Sequence, residues 1–245
     1  MSSRVNCLFD LDETLLNFHA SEKIGLKEVV EANGCEFNDD VYAFFKARNK
    51  ELWLLLEKGV ITRTELFETR FRELLAKCGA DTSKLDLLSI NSDFISAMSR
   101  NGVILDGALE LLGRIRNEIS GARVYIVSNG ATVNALGRIK STGVDAFIDG
   151  TFISEDMGVN KPSPEFFRIV LDSIGAGKES CIVIGDSLSS DMLGAKNYGL
   201  ASCWFKPAGD IEASVKEYGI DYTAGDYDEL YEVLVKWATC NLPVN

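Results

Sequence analysis

Leu8-Phe9-Asp10-Leu11-Asp12-Glu13-Thr14-Leu15 joins an apolar run to a pair of carboxylates, and the fold turns on how that junction is read. Val5 to Phe9 has the length and composition of a buried strand. Asp is depleted inside strands, so the strand is expected to end at or near Asp10. Residues two apart in an extended segment point to the same side, which lets Asp10 and Asp12 face one small volume. Two carboxylates aimed at one point repel unless a cation or a proton lies between them. Hard divalent cations such as Mg²⁺ take oxygen ligands of this kind. Taken alone, the pair also fits a helix cap next to a solvated loop acid.

Beyond Leu16 the pattern becomes helical. Phe18 to Asn33 carries apolar residues at helical spacing and stops at Asn33-Gly34. Asn38-Asp39-Asp40 caps a second predicted helix that runs to Lys58-Gly59, and Thr62 with Glu65 is a capping-box signature for a third, ending near Cys78-Gly79. A fourth is predicted from about Ser83 to Arg100. From Val103 onward helices alternate with short apolar strands: Arg123 to Val127, a piece around Phe147 and Ile153, Cys181 to Ile184, Ala201 to Phe205, and Tyr222-Thr223. That alternation predicts an α/β fold with an open parallel sheet covered on both faces. Because Val5 to Phe9 belongs to the same sheet, residues 17–100 read as a helical bundle inserted after the first strand. The domains expected are therefore 1–16 with 101–245, and 17–100.

The composition narrows the function. A formal charge of −12 with a single His opposes a large surface for nucleic-acid polymers, while a local basic pocket for a small anion stays open. No apolar run is long enough to span a bilayer and the N-terminus lacks a signal-peptide pattern, so no membrane partner and a cytoplasmic location are expected. The six cysteines are scattered without a C-x-x-C pair, which points to reduced core residues rather than disulfides or zinc ligands.

Ligands of open α/β sheets bind at the carboxyl ends of the strands. There the chain places Asp10 and Asp12, then Ser128-Asn129-Gly130, Lys161 ahead of the Ser163-Pro164 helix, and Gly185-Asp186-Ser187 with Asp191 following. Each has an ordinary structural use: cap, turn, surface lysine or first-turn acid. Together they supply carboxylates, a hydroxyl and a cation from several strand ends, the set that phosphoryl transfer through a covalent intermediate requires.

These motifs resemble those of the haloacid dehalogenase (HAD) superfamily in its phosphatase branch. F-D-L-D-E-T-L fits D-x-D-x-T, V-S-N-G the Ser/Thr motif, N-K-P-S the Lys motif, and I-G-D-S-L-S-S-D the acidic motif. The resemblance implies a Rossmann-like, HAD-like core with a helical cap, and a Mg²⁺-dependent phosphomonoesterase acting through an aspartyl-phosphate. It implies Asp10 as nucleophile, Asp12 as general acid and then base, and Thr14 as the residue that orients Asp12. The Leu11 and Asn129 backbone, Ser128 and Lys161 would hold the phosphate, and Lys161 would also offset charge on the nucleophile. Asp10, the Asp12 carbonyl and Asp186 would be the Mg²⁺ ligands, with Ser187 and Asp191 in support. The dehalogenases of the superfamily lack a carboxylate at the Asp12 position, so its presence favours phosphate esters over carbon–halogen bonds.

Within the insert, Asn49, Lys50, Trp53 and Arg70, together with Ser202-Cys203-Trp204 in the core, look like the bacterial pyrimidine 5′-nucleotidase branch. The small-molecule partner implied is a nucleoside monophosphate, with those cap residues as candidates for the base. Trp53 fits a helix-core position as well. A phosphatase of another small phosphometabolite, of the sugar-phosphate or phosphoglycolate type, and a β-phosphoglucomutase-like phosphomutase remain the alternatives.

Overall fold

The computed structural model describes residues 5–241. The core sheet has six parallel strands: β1 (Val5–Phe9), β2 (Ala122–Ser128), β3 (Gly150–Ile153), β4 (Cys181–Gly185), β5 (Ala201–Phe205) and β6 (Tyr222–Ala224). Their order is β3-β2-β1-β4-β5-β6. Successive strands extend the sheet in one direction from β1 to β3 and in the other from β4 to β6, so the order reverses between β1 and β4. A crevice for ligand opens at the carboxyl ends of strands at such a point.

Both faces of the sheet are buried, which is why its strands are apolar without alternation. Cys7 and Phe9 pack on one face with Leu111, Ala135 and Leu234, while Leu8 packs on the other with Phe166, Phe167 and Val170. The helices α1 (Phe18–Ala32), α2 (Asp39–Glu57), α3 (Arg63–Lys77) and α4 (Leu87–Arg100) form the insert, and α5 (Ala108–Glu118) begins the core's helices. They continue with α6 (Thr132–Thr142), the short α7 (Ser154–Met157), α8 (Pro164–Ile174), α9 (Leu193–Tyr198), α10 (Ile211–Tyr218) and α11 (Tyr227–Asn241).

The chain divides into two compact units, one made of the residues up to Phe18 with those from Val103 onward, the other His19–Gly102. At the junction the core's two strands of chain run side by side: the Asn17 N–H donates to the Val103 carbonyl at 2.8 Å, and the Leu105 N–H to the Leu15 carbonyl at 2.9 Å. Entry and exit points this close let an insert be accommodated without tearing the sheet.

The helix starts of the insert follow their caps. The Asn38 side chain accepts from the Val41 N–H at 3.0 Å, and Thr62 and Glu65 form the reciprocal capping box. The fourth helix begins at Leu87, not near Ser83, because the Asp86 side chain accepts from the Ser89 N–H at 3.0 Å; residues 82–84 form a separate 3₁₀ turn. The third strand lies at Gly150–Ile153, past Phe147, which packs instead against the core's apolar cluster. The helical stretch after β4 opens with a π-helical turn, Leu188–Met192, before α9. All six cysteines are free, but Cys78 is only partly buried and Cys240 is exposed near the end of α11, so these two are not core residues. No described helix is long and apolar enough to cross a membrane.

Phe45, Phe71 and Phe94 form the centre of the helical unit, with ring centroids 5.5 to 6.0 Å apart. Truncating Phe71, which is fully buried, is expected to cost ~3–5 kcal/mol in that unit. Chemical denaturation of Phe71→Ala followed by Trp53 fluorescence measures this; an unchanged midpoint would show that the ring trio does not hold the helices.

Candidate active site

Strand ends bring the polar motifs together because β1, β2 and β4 are neighbours in the sheet, Phe9 facing both Ile126 and Ile184. The Asp10 N–H is fastened to the Ile184 carbonyl at 2.8 Å. The loop beyond is closed by the Leu15 and Leu16 N–H groups, both donating to the Leu11 carbonyl, and by the Tyr227 hydroxyl, which donates to the Thr14 carbonyl at 2.8 Å. Glu13 takes φ 57°, a conformation uncommon for a residue with a side chain and the kind of local strain found at functional sites.

Lys161 lies at the centre. Its Nζ donates to Asp10 Oδ1 at 2.6 Å, Asp191 Oδ1 at 2.7 Å and the Val127 carbonyl at 2.6 Å, which uses all three of its donors. Burial opposes its charge, but the two carboxylates outweigh this and hold the ammonium well above the ordinary lysine value. The same burial pushes the Asp10 carboxyl up from its usual range, beyond what Lys161 takes back. The loop carrying Lys161 is docked by the Asn129 amide, which donates to the Lys161 carbonyl at 2.9 Å and accepts from the Lys161 N–H at 2.8 Å. Ser128 Oγ is buried and accepts from the Gly130 N–H at 3.0 Å. Asp191 is fully buried and also accepts from the Ser187 N–H at 3.2 Å. The residue below it must be glycine: a Cβ on Gly185 would sit 2.2 Å from Asp191 Oδ2.

Asp12 is held in a way the motifs did not suggest. Thr14 Oγ1 is buried without a hydrogen-bond partner, so in this structure Thr14 does not orient Asp12 through its hydroxyl. The carboxylate is instead gripped by Arg138 on α6, Nη1 donating to Oδ1 and Nη2 to Oδ2 at 3.1 Å. Sequence reasoning missed Arg138. Its signal was an arginine one residue before Ile139 and three after Ala135, on the buried face of α6, where a charge needs a partner.

Asp186, at the end of β4, is half-buried, and burial with the nearby Asp191 pushes its carboxyl up to about 6. Trp204, paired with Gly185 across the β4–β5 ladder, donates its indole N–H to the Asp186 carbonyl at 2.8 Å. Trp204 is therefore a support of the acidic loop, buried at 3% exposure. Carboxylate oxygens of Asp10, Asp186 and Asp191 lie within 4.8 Å of one another. Both Asp191 oxygens are engaged, Oδ1 by Lys161 and Oδ2 by the Ser187 N–H, whereas Lys161 takes only Oδ1 of Asp10, which leaves Asp10 and Asp186 as the pair best placed to hold a cation. Four carboxylates here meet two cationic side chains. The excess negative charge and the all-oxygen donor set fit a hard divalent ion.

In the helical unit, Arg70 is buried among the rings of Phe45, Phe67, Phe71 and Phe94 and donates to Asn49 Oδ1 at 3.2 Å and to Asn91. Burial pushes it down to about 10. It is thus an interior residue of that unit. Asn49 joins it, Trp53 is half-buried on the same helix, and Lys50 is exposed.

The sequence profile of the haloacid dehalogenase-like hydrolases matches residues 6–199. The chain belongs to that family. The HAD-hydrolase YfnB of Bacillus subtilis is 32% identical over 93% of this chain and 94% of its own length. Its crystal structure, bound to magnesium, covers 94% of this chain and 98% of that one at a TM-score of 0.78 and 31% identity. The pyrimidine 5′-nucleotidases YjjG of Escherichia coli (34% identical, covering 80% of this chain and 83% of that protein) and PynA of Streptococcus pneumoniae (32%, covering 82% and 83%) are further relatives. This protein is accordingly a hydrolase with a Rossmann-like parallel sheet and an inserted helical unit.

A carboxylate whose folded pKa lies above its unfolded one contributes stability below the unfolded value and loses it as pH rises through the folded value. For Asp186 that window runs from 3.8 to about 6. Metal-free protein is expected to lose stability across it, and Mg²⁺ to raise Tm more above pH ~7 than below pH ~4.5. Thermal unfolding with and without the ion checks this; equal shifts at both pH values would remove Asp186 as a ligand.

Proposed function

We propose that this hydrolase is a Mg²⁺-dependent phosphomonoesterase acting on pyrimidine nucleoside 5′-monophosphates through a phosphorylated Asp10. The observation that carries the reading is the buried Lys161 shared by Asp10 and Asp191, with a second carboxylate, Asp12, two residues from the nucleophile. A carboxylate attacks a phosphate dianion only where the repulsion is cancelled, and Lys161 meets Asp10 for that purpose. Asp10 and Asp186, with the Asp12 carbonyl, would hold Mg²⁺, which when bound supplies further positive charge against the phosphate oxygens.

In the first half-reaction an Asp10 oxygen bonds to phosphorus while the bond to the ester oxygen breaks. The electron pair leaves with that oxygen, and Asp12 delivers a proton to it. Ser128 and the backbone of Leu11 and Asn129 are assigned to the phosphate oxygens. In the second half-reaction water attacks phosphorus, Asp12 takes the water's proton, and the Asp10 carboxylate is regenerated as inorganic phosphate departs. Asp12 favours this over dehalogenation, where no ester oxygen needs a proton. The nucleotide assignment draws its support from the relatives named as pyrimidine 5′-nucleotidases.

Asp10→Asn is expected to lower kcat by ~10³-fold or more while leaving the unfolding transition in place. Near-normal phosphate release by that variant, or full activity in EDTA, would defeat the mechanism. A panel of nucleoside monophosphates and sugar phosphates compared by kcat/KM tests the substrate. Preference for a sugar phosphate, or isomerisation of one without phosphate release, would replace the nucleotidase reading.

A further inference from the structure

α6 buries Asn134, Ala135, Arg138 and Ile139 on one face, and Arg138 is only 1% exposed. A charge so deep is costly unless it is paired and hydrogen-bonded. Arg138 is paired with Asp12, and three of its five N–H donors have acceptors. Nη1 and Nη2 reach the two oxygens of Asp12, Nε donates to Asn134 Oδ1 at 2.5 Å, and the guanidinium carbon lies 5.2 Å from the Phe18 ring centroid. Asn134, one turn earlier on the same helix, fixes the plane of the fork. The Asp12 side chain is 29% exposed, so the rigid partner is the arginine and the accessible one is the carboxylate.

We infer that Arg138 is a positioning residue for Asp12, an inference that rests on the phosphatase reading above. The last torsion of an aspartate is soft, and a proton donor must lie within hydrogen-bond reach of the oxygen it serves. A two-point fork removes that freedom, which the unpartnered Thr14 hydroxyl leaves in place. When Asp12 carries its proton, one fork N–H still holds the carbonyl oxygen and the O–H is free for the ester oxygen. As the phosphorus–oxygen bond breaks and the proton moves to the departing oxygen, the carboxylate forms and takes both N–H groups. Lysine, a point charge on a flexible stem, cannot set the carboxylate plane in this way.

The test compares an alkyl phosphate, whose alkoxide must be protonated as it leaves, with 4-nitrophenyl phosphate, whose phenolate leaves unaided. The value of kcat/KM covers steps up to phosphorylation of Asp10, so it reports departure of the leaving group for both esters. Within one variant the alkyl-to-aryl ratio is independent of how much protein is folded, which protects the result if Arg138→Met is unstable. The ratio is expected to fall about tenfold or more in Arg138→Met and in Arg138→Lys, toward the value of Asp12→Asn. A smaller fall in either variant, including equal losses on both esters, overturns the positioning role and assigns Arg138 to the packing of α6. Wild-type protein that releases phosphate from neither ester would overturn the phosphatase reading itself, and this inference with it.

Discussion

A single buried ammonium organises this core. Lys161 donates to three acceptors: the Asp10 carboxylate just past β1, the Asp191 carboxylate in the helical turn after β4, and the Val127 carbonyl near the end of β2. Removing either partner would leave a buried charge without its counter-charge, which is strongly destabilising. Lys161 therefore ties the ends of β1 and β4 together by charge and joins them to β2 by a hydrogen bond. It also leaves the site short of positive charge, because one cation serves two acids. Asp186 adds a third acid to the group. A site left with this imbalance is suited to a divalent cation and to a phosphate dianion that arrives with it.

The rest of the scaffold keeps that arrangement rigid. The Asn129 amide clips the Lys161 backbone in both directions, Trp204 holds the carbonyl of Asp186, and Gly185 leaves the room that Asp191 occupies. None of these groups carries chemistry. Each removes a degree of freedom from one that does, which is how a catalytic set is held ready before substrate arrives. Arg138 does the same for Asp12. The two acids of the opening motif thus have separate cationic partners, a buried lysine for one and an arginine fork for the other.

The helical unit shows the opposite use of a charged side chain. Arg70 sits inside a ring of phenylalanines with two asparagines as its acceptors, a residue enclosed by its own unit rather than displayed by it. The helix that contributes Asn49 also carries Lys50 and Trp53, and these differ from Arg70 in being wholly or partly exposed. Residue type alone did not separate them, because periodicity places a residue on a helix face without saying how deeply that face is covered.

The sequence alone determined the α/β alternation, the helical insert after the first strand, and the convergence of Asp10, Ser128, Lys161 and Asp186 on one end of the sheet. Those features follow from local causes: apolar runs without alternation mark strands buried on both faces, and polar residues must lie where the strands stop. Caps written in single side chains, such as Thr62 with Glu65, were equally legible. Only the tertiary structure decided the partnerships across the sheet. Arg138 is 126 residues from Asp12, and Trp204 meets Asp186 only because β5 pairs with β4. Local pattern predicts that a buried arginine needs an anion, but which anion depends on the order of strands, and strand order is a property of the whole chain.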